Sequence, residues 1–429
     1  MRYFKVLVVS LLLLIGSVAV FGEQKVVRVM HGWPAQQGEA FDKVVAAFKA
    51  AHPDIDVVVE VVGRDRPAIL ATRLAAGNPP DVSPIPWLGL MAEWARAGYL
   101  VPLDGLVDVS EQVEALTPLG YVDGELYGVW QSANIKSLVW YNVNELGPNF
   151  NLPTWEALLA FTKGLAVAGK PAWSIGLESG AASGWPGTDW IEDIMLRTAG
   201  PELYDKWVAH EIPWTHPAVR RAFELFGEIV LNPDYVLGGP VGALTTNFGD
   251  APAALFTDPP QAYLHRQATF IQGFILNTYP DLVPGEDFDV FPFPPIDPEA
   301  VDGIPILGAG DVSVVFKTGG PLRGTRPEVI EFVQFLASKE AQEIWIRELG
   351  ELAANKTVDA DAIYTNPITR KAWDILLNAK VFRFDGSDLM PGAVGAGSFW
   401  QGVLDYVSGV PLDTVLEAIE QSAIEAYGK

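Results

Sequence analysis

The sequence predicts an α/β chain folded as two lobes, each with its own sheet. Three observations carry this. A β-branched run at Val26–Met30, a helical stripe of Phe41, Val44, Val45 and Phe48, and a second β-branched run at Ile55–Val62 follow one another within about 40 residues. That order is a βαβ unit and implies parallel strands. Strand and helix signals then keep alternating, with no fixed-period repeat and no low-complexity segment. Finally, 429 residues, 49% of them hydrophobic, exceed what one core usually holds, since domains run at roughly 150 residues each.

Each element has its own local reason. His31-Gly32-Trp33-Pro34 breaks the first strand into a loop, and Pro53 stops the first helix. Residues 68–76 read as a helix ending at Gly77. Asn78-Pro79-Pro80 turns the chain and Asp81-Val82 opens a third strand, with Asp81 as a cap or turn acceptor. Residues 90–97 form a helix closed by Gly98. Tyr121–Val129 carries Asp123-Gly124 at a hairpin turn, and 137–141 is a strand. Thr154 caps the next helix, with Glu156 in its first turn. Trp173–Leu177 reads as a strand, 178–190 as a Gly/Ser/Trp-rich loop, 218–231 as a helix, and 232–242 as a Pro/Gly-rich stretch. Ala254–Phe256 reads as an apolar strand. A single helix spans 327–347, and an amphipathic helix spans 411–427.

Composition excludes several functions. With 53 acidic and 29 basic residues the formal charge is −24. That opposes nucleic-acid binding, which rests on basic residues neutralising phosphates, and disfavours an anionic membrane surface. The absence of Cys removes disulfides, thiolate metal sites and a Cys nucleophile. There is no H-E-x-x-H, no G-x-S-x-G and no phosphate loop. Gly308-Ala309-Gly310 and Gly395-Ala396-Gly397 fail the dinucleotide pattern. No catalytic residue, metal or cofactor is expected. The many carboxylates leave a periplasmic glycoside hydrolase open as an alternative.

At the N-terminus, Arg2 and Lys5 precede the apolar stretch Val6–Phe21, which ends at Val20-Phe21-Gly22. This reads as a secretory signal cleaved after Gly22. With no Cys at the junction to carry a lipid, a periplasmic protein is expected.

Four segments in order carry a resemblance. They are Val29–Val62 with His52-Pro53-Asp54-Ile55-Asp56-Val57, Ala75–Val82, Tyr121–Asn142, and Pro153-Thr154-Trp155-Glu156-Ala157-Leu158. Together they resemble the extracellular sugar-binding proteins of bacterial ABC importers, the maltose-binding-protein-like family. Gly176–Gly180, Gly184–Trp190, Phe248–Pro252, Phe384–Pro391 and Gly395–Trp400 are similar to its α-glucoside-transport branch. The resemblance implies a type II periplasmic-binding-protein fold, with a mainly parallel sheet in each lobe and three crossovers, near 134–136, 304–308 and 353–357. One lobe would be 23–134 plus 305–355 and the other 135–304 plus 356–429, behind the signal peptide at 1–22. It also implies capture of a small-molecule sugar, an α-glucoside such as maltose, sucrose or trehalose. The sugar would pass to the transmembrane subunits of an ABC permease, driven by its ATPase subunits, from a monomeric carrier with no nucleic-acid partner. A polyol or peptide cargo on the same fold is the alternative.

Sugars offer apolar C–H faces and a rim of hydroxyls, so their sites pair aromatic plates with acids, amides and bases. Ligands of α/β folds sit beyond carboxyl-terminal strand ends, which directs attention to the loops. After the first strand come Trp33, Gln37 and Glu39, with Trp33 either a cleft plate or packed on its own lobe. Trp87 follows the third strand, with packing between helices as its alternative. Asn134 and Lys136 lie at the first crossover, where Lys136 either reaches hydroxyls or pairs with a carboxylate across the hinge. The loop 178–190 offers Glu178, Trp185 and Asp189, while Trp190 is expected in the core. Asp258 and Gln261 follow 254–256. Gln261 departs from the aromatic that many family members place in that slot. Asp311 follows the second crossover as a hydroxyl acceptor or a cap. Asp385 and Asp388 are acid candidates. The resemblance places Trp400 under the sugar, with Phe399 in the core.

Overall fold

A computed structural model describes residues 25–33, 35–318 and 326–428. The expected signal segment, 1–22, lies outside them. The strands in chain order are β1 (Lys25–His31), β2 (Ile55–Val61), β3 (Val82–Ile85), β4 (Tyr121–Val122), β5 (Glu125–Leu126), β6 (Gly128–Trp130), β7 (Asn134–Ile135), β8 (Leu138–Asn142), β9 (Leu264–Arg266), β10 (Phe288–Pro292), β11 (Ile306–Ala309), β12 (Val312–Val315) and β13 (Phe382–Phe384).

The first lobe is built on a five-stranded sheet in the order β2-β1-β3-β12-β6. The 17-residue helix Ala35–Ala51 returns the chain so that β1 and β2 run parallel, from Lys25 opposite Ile55 to His31 opposite Val61. Its stripe of Phe41, Val44, Val45 and Phe48 is buried, as the spacing predicts. β3 joins β1 in parallel, and Asp81 just before it accepts a hydrogen bond from the Arg28 N–H at 2.8 Å. The second lobe centres on β8, flanked by β10 and β9.

The expectation of mainly parallel sheets needs correction. β12 pairs antiparallel with β3 and β6, and every pair in the second lobe's sheet is antiparallel. In these two sheets the parallel neighbours are β1 with β2 and β1 with β3; β12 and β6 enter after the chain has crossed between the lobes or turned back. A third sheet, β13-β11-β7, is made of the crossovers themselves. Ile135 lies opposite Gly308, Gly308 opposite Phe384, and Ala133 bridges Leu352.

Several local expectations also change. The hairpin β4–β5 turns at Asp123 and Gly124, both with positive φ (51° and 89°). Thr154 Oγ1 accepts from the Ala157 N–H, as a cap should. Trp173–Leu177 makes only isolated bridges, because its N–H groups donate to irregular and helical segments at Tyr235 and Ala243 as well as to Leu264. The expected loop 178–190 ends early. Gly184, in the left-handed region with φ 106°, starts the helix Trp185–Val208, which is interrupted at Gly200. The expected helix 327–347 is two helices, Pro327–Leu336 and Lys339–Leu349, because Ser338 caps the second. Ala251–Leu255 is a 3-10 helix, so no strand covers 254–256.

Candidate functional site

One cavity of about 970 Å³, its mouth included, lies between the lobes. It opens beyond the carboxyl-terminal ends of five strands. Gly32 and Trp33 follow β1, Gly63 and Arg66 follow β2, and Pro86 and Trp87 follow β3. Gly310 and Asp311 follow β11, while Asp385, Ser387 and Asp388 follow β13. Crevices outside strand ends and between domains are where α/β proteins bind small molecules.

The walls are aromatic: Trp33, Trp87, Trp185 and Trp400 with Phe248, Phe270 and Phe274. Trp33 does both things expected of it. It lines the cavity and its ring packs 4.7 Å from Trp345 and 5.0 Å from His31. The Arg66 guanidinium lies 4.7 Å from the Trp87 ring centroid and donates to the Pro84 carbonyl. Trp185 packs on Phe248 at 5.2 Å, with Lys136 Nζ over its ring at 5.2 Å. The indole N–H groups of Trp185 and Trp400 are buried with no hydrogen-bond partner among the described residues. Buried Trp N–H groups normally find one, so both are open to an acceptor in the cavity.

The floor is charged. Lys136 pairs with Asp189 at 2.9 Å and also with Asp385. Burial opposes its charge, but the two carboxylates outweigh it and hold the ammonium well above its ordinary pKa. Burial likewise opposes ionisation of Asp385, and Lys136 holds that carboxyl below the usual range. Asp385 Oδ1 also accepts from the Asp388 N–H at 2.9 Å and Ser387 Oγ at 2.8 Å. Asp388, buried beside Asp385, is pushed well above the ordinary carboxylate range. Two amides complete the set, Gln37 and Asn134.

The structure thus brings Trp33, Gln37, Trp87, Asn134, Lys136, Trp185, Asp311, Asp388 and Trp400 to one cavity. Five predicted residues do not line it. Glu39 follows Gln37 by two helical positions and so faces solvent. Glu178 turns away to accept from Asn247 Nδ2 and the Gly180 N–H, both at 2.6 Å. Asp189 is one helical turn beyond Trp185 and lies behind Lys136. Asp258 and Gln261 are exposed, because the 3-10 turn before them takes the place of a strand end. Trp190 and Phe399 are core residues. Arg66 and the three Phe residues were missed. Arg66 was within reach of the strand-end rule applied to β2. Phe248 stands in a segment already singled out, but Phe270 and Phe274 left no distinguishing sequence signal.

Among the described residues no group of His, Asp and Glu is placed to hold a metal ion, and no helix is long and apolar enough to cross a membrane.

Comparison with known proteins agrees with this geometry. Residues 32–343 match the family model for bacterial extracellular solute-binding proteins. The osmoprotective compounds-binding protein GgtB of Synechocystis sp. is 42% identical over 98% of this chain and 99% of its own. The alpha-glucosides-binding periplasmic protein AglE of Rhizobium meliloti is 41% identical over 81% of this chain and 76% of its own. A chitin oligosaccharide binding protein has the same fold, with TM-score 0.82 at 19% identity over 95% of this chain and 100% of its own. So does the maltose-bound MalE3 of T. maritima, with TM-score 0.71 at 18% identity over 93% of this chain and 98% of its own. A two-lobed fold with an interlobe cavity, matched across most of the chain by this model and by GgtB, makes the protein a member of the bacterial extracellular solute-binding protein family, the solute-binding component of an ABC importer.

Proposed function

We propose that the cavity captures an α-glucoside such as maltose, sucrose or trehalose. The single observation that carries this is the pairing of four Trp residues with the buried carboxyl of Asp388 in one interlobe space. Trp33, Trp87, Trp185 and Trp400 act as plates for C–H faces. Gln37, Asn134, Asp311 and Asp388 meet hydroxyls, and Lys136 holds Asp385, which accepts from the Asp388 N–H. The name of the relative AglE supports the glucoside class. The name of GgtB favours a second reading, a small osmoprotective polyhydroxy compound in the same site.

The magnitudes are adequate. Micromolar binding needs about 8 kcal/mol. Neutral hydrogen bonds net about 0.5–1.5 kcal/mol each and those to charged groups about 1.5–3, so a set of them with several buried plates covers it after association costs of roughly 4 kcal/mol or more. A missing or inverted hydroxyl leaves a buried acid unpaired, and that penalty supplies selectivity.

In this reading the lobes are 23–134 plus 305–355 and 135–304 plus 356–429. They close on the solute about the crossover sheet, and the closed monomer docks on the permease after export and cleavage at Gly22. Thermal-shift screening of the purified mature protein against maltose, sucrose, trehalose, glucose, maltodextrins and polyols tests it. A ligand at 100 times its Kd adds about 2.7 kcal/mol. A shift confined to α-glucosides, with the sugar recovered intact, supports a carrier of that class. A shift confined to polyols supports the second reading, and turnover of the sugar overturns both.

A further inference from the structure

Behind the cavity wall lies a carboxyl that does not line the cavity. Glu351, 1% exposed, accepts from Gln37 Nε2 at 3.1 Å, Asn134 Nδ2 at 3.4 Å and Trp345 Nε1 at 2.8 Å. The three donors come from the helix Ala35–Ala51, from β7, and from the helix Lys339–Leu349. Gln37 and Asn134 line the cavity, and Trp345 packs 4.7 Å from Trp33, which also lines it. The backbone keeps Glu351 in place: Ala133 and Leu352 exchange both N–H to carbonyl bonds, at 2.8 and 3.0 Å.

An ionised carboxylate only accepts hydrogen bonds. Each amide must therefore turn its NH2 end toward Glu351. For Asn134 the orientation is doubly determined, because Thr269 Oγ1 donates to its Oδ1 at 2.6 Å. One N–H of Asn134 is left over. Gln37 keeps one N–H and its carbonyl oxygen, with no other hydrogen bond among the described residues.

We propose that Glu351 is a positioning residue that fixes the donor and acceptor pattern Gln37 and Asn134 show to the solute, and thereby selects among hydroxyl configurations. This rests on the reading that the cavity holds a polyhydroxy solute. Burial pushes the Glu351 carboxyl up to about 7, Asp311 adds to the rise, and the three donors oppose it. A protonated Glu351 would compete with its own donors and loosen the arrangement.

The test is the Glu351→Gln variant, whose amide sets an NH2 against three donors. Its neutron diffraction structure, which separates amide N from O, should show the Gln37 or Asn134 amide turned from its wild-type orientation. Calorimetric Kd values for maltose, sucrose and trehalose should rise tenfold or more, with the ranking of the three changed. Glu351→Asp should restore part of the affinity. Unmoved amides, or Kd values within twofold with only a lowered Tm, overturn the proposal. If Glu351→Gln does not fold, Gln37→Leu removes one held amide near the surface, and an unchanged Kd there overturns it equally. If no sugar binds even the wild type, the α-glucoside reading fails, while the amide orientations in the variant's structure still decide the role of Glu351.

Discussion

The Glu93 carboxylate accepts a hydrogen bond from the backbone N–H of Gly392 at 2.8 Å, joining the helix that follows β3 to the segment that follows β13. Gly89, one turn earlier on that helix, lies so close to Met390 that an added Cβ would sit 1.7 Å from its carbonyl oxygen. In the proposed division of the chain Met390 belongs to the second lobe, so these contacts would join the lobes at the rim beside Trp87 and Asp388, which line the cavity. In an isolated helix Ala is more favourable than Gly by about 1 kcal/mol. Gly89→Ala should therefore leave the ligand-free protein folded and still block full closure. We expect a Kd at least tenfold weaker and a larger radius of gyration with sugar bound, read by small-angle scattering. Glu93→Ala removes one exposed charged bond, of order 1 kcal/mol, and should weaken binding only several-fold. Wild-type compaction in Gly89→Ala would show that the rim does not govern closure.

Lys136 is the cation shared by Asp189 and Asp385, all three buried. Removing one partner of a buried ion pair is costly because the other charge stays buried. Lys136→Met should lower stability by about 3–5 kcal/mol in urea unfolding at pH 7, and should abolish sugar binding. Asp385 also organises the turn that presents Asp388, so the loss of binding should exceed what a lower folded fraction explains. A stability change below about 1 kcal/mol would mean that the acids find other partners or protonate at little cost.

Much of the cavity was legible because strands end where ligands bind. Trp33 follows a strand whose β-branched run is plain in the sequence, Trp87 follows one opened by the turn before Val82, and Asp311 follows the second crossover. The failures have equally local causes. Glu39 and Gln37 differ only in helical phase, which two residues settle in three dimensions but not in a loop-based reading. Asp258 and Gln261 were tied to an apolar run that forms a 3-10 turn, since three apolar residues cannot tell a strand from a helical turn. The antiparallel half of the first sheet depends on β12 returning from the other lobe, a pairing that no local pattern records. Glu351 reaches Gln37 across 314 positions, so only the folded chain reveals it.

The unpartnered indole N–H groups of Trp185 and Trp400 separate stacking from hydrogen bonding. Trp400→Ala removes the plate and should cost about 2 kcal/mol, the scale of an interface hot spot. Trp400→Phe keeps an aromatic face and removes the N–H, so it should lose only about 1 kcal/mol. The same pair of substitutions at Trp185 should show the same order. Equal losses for Ala and Phe at either position would assign that Trp to hydrogen bonding alone. No loss at either would sink the aromatic-plate reading of the cavity.

Acid sensitivity should come from two buried imidazoles. His265 Nδ1 donates to the Ser174 carbonyl at 2.9 Å, and burial, with Arg266 alongside, pushes its pKa down to about 4. His31 Nδ1 accepts from the Trp33 N–H at 3.2 Å, and burial with Arg66 brings it also to about 4. Both are neutral in the folded protein at pH 6, whereas an unfolded chain titrates near 6.5. Between those values the unfolded state binds more protons, so stability falls as pH drops from about 6.5 toward about 4. Glu351 has the opposite sign. Its folded pKa is raised, so its contribution is full below about 4.5 and lost as pH rises toward 7. His265→Gln can keep the bond to Ser174 and cannot titrate. Its Tm should fall less than that of the wild type between pH 7 and pH 5, by calorimetry in matched buffers. His31 supports Trp33 at a ring distance of 5.0 Å, so His31→Gln should reduce both the fall in Tm and the acid loss of sugar affinity. Parallel Tm curves for wild type and both variants would place the acid sensitivity elsewhere, in Asp385, whose carboxyl Lys136 holds below its ordinary range.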